Sequence, residues 1–96
     1  MNLEFPVAKM LQPHVLDGRT ISRQGIWWGA VLAINSPRDG KPYLGIYKWQ
    51  KVDGEWKNRQ YFKINKAEHL GTLIKSLNTL ADTFTKNAEQ ERNLGV

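Results

Sequence analysis

The stretch YKWQKVDGEWKNRQYFK, residues 47–63, carries five aromatic rings and five cationic side chains in seventeen positions. Aromatic rings offer flat faces on which unpaired bases stack, at about 1–3 kcal/mol per base whatever the base. Lysine and arginine pair with phosphates and release counterions, so affinity falls as salt rises. A duplex hides its base faces, so rings and cations together point to a single strand. The plainer reading is that Tyr47, Trp49 and Tyr61 cover one another on a sheet, with lysine stems laid over them. The residues alone leave both readings open.

Other chemistry has little to work with. His14 and His69 are the two histidines, there is no cysteine, and neither H-E-x-x-H nor D-x-D spacing occurs. The acids Asp53, Glu55 and Asp39 sit in or beside turn sequences. The chain is therefore expected not to be an enzyme and to use no metal, cofactor or small-molecule substrate. Its formal net charge is +5 over 96 residues, and a basic excess of that size suits a polyanionic partner. The absence of cysteine fits a reducing cytoplasm. No apolar run of about 18 residues offers a membrane span, and MNLEFPVAKM does not read as a signal peptide. A cytoplasmic protein is expected, nucleoid-associated if prokaryotic.

Positioning these residues requires strands. GIWWGAVLAIN (25–35) is apolar and rich in β-formers, SPRDGKP (36–42) supplies turn residues, YLGIYKWQKV (43–52) reads as a strand, and EWKNRQYFKIN (55–65) as another after a turn at Asp53-Gly54. RTISRQ (19–24) is a weaker further strand. Of Trp27 and Trp28, one must face each side of its strand; the sequence does not say which is core. Leu70, Leu73, Ile74, Leu77, Leu80, Ala81 and Phe84 then recur at steps of three and four, the pattern of one apolar helix face. Asn65 with Glu68 makes a capping-box start, and Gly95 is a candidate stop. The expected fold is α+β: an antiparallel sheet of about four strands followed by one long C-terminal helix, ββββα. Residues 1–18 read as an irregular or loosely attached arm, 19–86 as the domain, and 87–96 as a fraying tail.

Register decides which way the rings point. A three-residue loop, Val52-Asp53-Gly54, would gather Leu44, Ile46, Phe62 and Ile64 on one face for the helix to cover. The other face would then collect Tyr43, Tyr47, Trp49, Lys51, Lys57, Arg59, Tyr61 and Lys63 and look outward as the nucleic-acid site. The helix, at 1.5 Å per residue, would overhang strands of ordinary length. Its surplus stripe of Leu73, Leu77, Leu80 and Phe84 is expected to pair with a second copy in a homodimer.

The order of these elements, and LGIYKWQKVDGEWKNRQYFKINKAEHLGTLIKSL above all, resembles the positive cofactor 4 family of transcriptional coactivators and its prokaryotic relatives. The resemblance runs from about Gly25 to Phe84. It implies a homodimer that holds single-stranded DNA across its sheets without strong sequence preference, in transcription, replication or repair. Leu44 and Ile46 match the family's buried pair, and Phe62 and Ile64 the apolar pair before its helix. Trp49 falls at or beside its stacking aromatic, and Lys57, Arg59 and Gln60 on its basic strand. Arg38 and Lys41 lie in the first hairpin, where the family places further contacts. INSPRDGKP is longer than the family's hairpin and lacks an aromatic, and Tyr61 stands where a glycine is usual. Two other readings stay open: an RNA-binding protein of the same fold, and a basic dimeric scaffold with an acidic protein partner.

Overall fold

Asp53 and Gly54 both take positive φ, 52° and 80°, in the computed structural model, which describes residues 5–94 and the side chains of 5–88. Two consecutive left-handed residues make the tight two-residue turn whose twist matches that of the strands it joins, and Asp-Gly is among the sequences best suited to it. Val52 therefore pairs with Glu55, and the expected three-residue loop is corrected to two.

The chain divides into two compact units, Met1–Asn65 and Lys66–Val96. The first holds a short 3-10 turn, η1 (Lys9–His14), and four strands: β1 (Val15–Gln24), β2 (Trp27–Asn35), β3 (Pro42–Val52) and β4 (Glu55–Ile64). They form one antiparallel sheet in the order β1-β2-β3-β4. The second unit is a single helix, α1 (Ala67–Leu94). The ββββα order is the one expected. β1 begins four residues earlier than residue 19. The helix runs well past residue 86, and Gly95 lies outside the described residues. The Lys66 carbonyl accepts the amides of His69 and Leu70, so Lys66 holds the cap position, one residue after Asn65. No helix among the described residues is long and apolar enough to cross a membrane.

A two-residue turn alone would set Leu44 and Ile46 beside the wrong residues of β4. The strand corrects this with a bulge: Trp49 pairs with Asn58, Lys48 pairs with Gln60, and Arg59 is the extra residue. Beyond the bulge Ile46 meets Phe62 and Leu44 meets Ile64. Leu44, Ile46, Phe62 and Ile64 thus share a face.

The core lies on the other face. Paired residues share a side of the sheet, so Trp28, Ala30, Leu32 and Ile34 of β2 stand beside Trp49, Tyr47, Gly45 and Tyr43 of β3. All of these are buried, Ala30, Leu32 and Ile34 completely. The arm supplies the lid that the helix was expected to provide for the opposite face. Phe5 is buried with its ring 5.6 Å from that of Trp28 and 6.4 Å from that of Trp49, and Val7 and Leu11 pack against the same cluster. Gln12 holds the arm's own bend by donating from Nε2 to the carbonyls of Phe5 and Val7. Gly18 makes room for Phe5: a Cβ there would lie 2.5 Å from Leu32 and 2.6 Å from the Phe5 ring. Residues 1–18 are therefore not simply a loose appendage, since the described part includes a core anchor and the start of β1.

Candidate nucleic-acid interface

The bulge at Arg59 splits the residues expected to share one surface. Tyr43, Tyr47, Trp49, Lys51, Tyr61 and Lys63 lie on the core face, together with Trp56 and Asn58. Lys57 pairs in register with Gln50, and the Nε of Arg59 donates to Gln50 Oε1 at 2.9 Å. Both cations thus belong to the opposite face, which carries Trp27. Strict alternation along β4 would have put Lys57, Arg59, Tyr61 and Lys63 together; one extra residue undoes it.

The rings on the core face do not look outward. Tyr43 is 9 % exposed, Tyr47 6 % and Trp49 1 %. Tyr47 and Trp49 lie nearly parallel, 8° apart with centroids at 5.2 Å, and Tyr61 leans on Tyr47 at 4.7 Å. Gly45 permits this overlap, because a Cβ there would come within 2.6 Å of the Tyr47 ring and 3.1 Å of Tyr61. Burial, and then the neighbouring Tyr61 and Tyr43, push the Tyr47 phenol well above its ordinary pKa; burial and Tyr43 raise that of Tyr61. These phenols stay neutral and serve packing. Tyr61 is still 46 % exposed, and the Lys63 ammonium sits 4.4 Å from the Tyr43 ring. The stacking partners named from sequence are thus largely occupied by one another and by the arm.

Two rings on the opposite face are exposed. Trp27 is 40 % exposed and Phe62 60 %, whereas Trp28, its neighbour on the strand, is core. The Lys48 ammonium lies 4.6 Å from the Trp27 ring, a spacing at which cation and ring attract. Lys57 bonds Glu55 at 3.1 Å and Arg19 bonds Asp17 at 2.6 Å, all four side chains being at least half exposed. Exposed pairs of this kind contribute about 0–1 kcal/mol, so a phosphate competes for either cation. The Arg19 guanidinium and the Gly18 amide hold the Asp17 carboxyl below its ordinary pKa. Trp27, Lys48 and Phe62 were not named as site residues from the sequence. The available signal was the pair Trp27-Trp28: with one ring in the core, the other must emerge on the far side.

Arg38 and Lys41 lie exposed in the connection between β2 and β3. That loop is closed by the Ser36 amide on the Lys41 carbonyl at 2.9 Å and by Asp39, which accepts the Lys41 amide at 3.0 Å; the latter bond lowers the Asp39 pKa. Among the described residues no three His, Asp or Glu side chains converge as a metal would require.

A search of protein families, curated proteins and solved structures finds no match for this chain.

On α1, Leu73 is half-buried while Leu77, Leu80 and Phe84 are 58 %, 61 % and 75 % exposed. With Ile74, 50 % exposed, they follow one stripe of the helix.

Proposed function

We propose that the chain binds single-stranded nucleic acid without sequence preference, as a homodimer joined through α1. The observation that carries this is Trp27, an indole left accessible on a sheet face beside Lys48, with Arg59, Lys57 and Phe62 on the same side. A base that takes the place of the Lys48 ammonium on the indole stacks there, and the displaced cation is free to pair with the adjoining phosphate. Phe62 offers a second flat surface. The net charge of +5 and the resemblance to the positive cofactor 4 family support the same reading. The binding surface is thus moved from the expected Tyr47, Trp49 and Tyr61 to the opposite side of the sheet.

Titration with oligo-dT tests it. Binding at low salt should quench tryptophan emission and weaken linearly in log salt. Trp27→Ala should lose about 1–3 kcal/mol of affinity, one stack's worth, with the salt slope unchanged. Lys57→Ala and Arg59→Ala should each reduce the slope by somewhat under one unit. A chain that ignores oligo-dT and an RNA oligomer alike at low salt is not a single-strand binder. Preference for the RNA oligomer would assign the same face to RNA.

The helix stripe is the seam of the proposed dimer. Leu77 stands near its middle and is exposed enough to leave the isolated helix intact when changed. Leu77→Asp should convert a sedimenting dimer to monomer while the circular dichroism of the chain is retained; a variant that still sediments as a dimer rules out this seam.

A further inference from the structure

Both tight turns of the sheet lie at the same end. The Lys51 amide donates to the Ile26 carbonyl at 2.7 Å and ties the β1–β2 turn to the end of β3. At this end, on the core face, Arg23 pairs in register with Trp28 and Lys51 with Trp56. The Arg23 guanidinium lies 3.9 Å from the centre of the Trp28 ring and 5.5 Å from that of Trp56. The Lys51 ammonium approaches Trp56 at 5.8 Å. Trp28 cannot swing away, because its Nε1 donates to Thr20 Oγ1 at 3.0 Å and its edge meets Trp56 at 5.5 Å. Two exposed cations therefore converge on one half-buried indole. The nearest acid along β4, Glu55, alternates to the opposite face and is engaged there by Lys57. Like charges drawn towards one ring repel each other, and an anion between them relieves that repulsion. Guanidinium and ammonium are the two groups that best bind phosphate oxygens, and the Trp56 ring beside them is flat.

We propose that this end of the sheet is a nucleotide site: Arg23 and Lys51 hold one phosphate group, and the attached base packs on Trp56. The site rests on the single-strand reading above but stands on the other face from Trp27. A strand reaching both would pass around the end of the sheet that carries the two turns.

Thymidine 5′-monophosphate is the probe, followed through the indole N–H signals in nuclear magnetic resonance. The nucleotide should shift the Trp56 signal saturably, while thymidine and inorganic phosphate, each lacking half of the ligand, should bind more weakly. Arg23→Gln with Lys51→Gln should weaken nucleotide binding about tenfold, each exposed cation supplying roughly a factor of three. Arg23→Lys should recover part of the loss. Unchanged thermal unfolding of the free variants shows that the sheet is intact. A nucleotide that leaves the Trp56 signal unmoved, or binds the double variant as it binds the parent, overturns the proposal. Oligo-dT separates the two ideas. If it binds through Trp27 with equal affinity in parent and double variant, the site is wrong and the single-strand reading survives. If it fails to bind while the mononucleotide shifts Trp56, the site stands and the single-strand reading falls.

Discussion

Trp49→Ala is expected to destabilise the sheet unit by about 3–5 kcal/mol, the range for truncating a fully buried large ring. Trp49 is 1 % exposed and its ring contacts three others, Phe5, Trp28 and Tyr47. Truncation leaves a cavity between the arm and the middle of the sheet, where Phe5, Trp28 and Tyr47 lose a contact. Urea unfolding followed by circular dichroism measures the loss as a lowered midpoint. The alternative assignment of Trp49 as an outward stacking residue makes the opposite demand: unchanged stability with weakened oligonucleotide binding. A variant with the parent's midpoint would remove Trp49 from the core.

Phe5→Ala should cost about 2–3 kcal/mol, the transfer free energy of one nearly buried phenylalanine. Phe5 is the largest apolar side chain that the arm contributes to the core. Its loss should release the arm rather than unfold the strands. Tryptophan emission should then move to longer wavelength under native conditions, because water reaches Trp28 and Trp49, while the strand signal persists. If emission and midpoint both match the parent, the arm is dispensable and another element covers the rings.

The sequence and the structure agree where one local rule acts without competition. The three- and four-residue spacing of Leu70 to Phe84 marks a helix, and the β-formers of 27–35 and 42–52 mark strands, because periodicity and propensity point the same way there. They part company where two constraints meet. Asp53-Gly54 favours a two-residue turn and the burial of Leu44 and Ile46 favours another register. Arg59 reconciles them by standing outside the pairing, and nothing in a lone arginine between asparagine and glutamine announces a bulge. Phe5 failed to signal its role for a different reason. A single ring amid Pro6 and Pro13 has no period, and its partners, Trp28 and Trp49, lie more than twenty residues away. An arm read as loose leaves those rings without a cover, and Phe5, buried beside Trp28 and Trp49, is the cover that such a reading lacks.

The indoles of Trp28, Trp49 and Trp56 form a chain with neighbouring centroids 5.4 and 5.5 Å apart and planes crossed at 61° and 70°. Chromophores so close and so inclined share their electronic excitations, and the shared states rotate polarised light in paired bands of opposite sign. The ultraviolet dichroism of this protein will therefore not be the sum of its strands and helix. It will contain an exciton couplet that exists only while those rings keep their mutual angles, which gives the chain an internal optical gauge of its own packing.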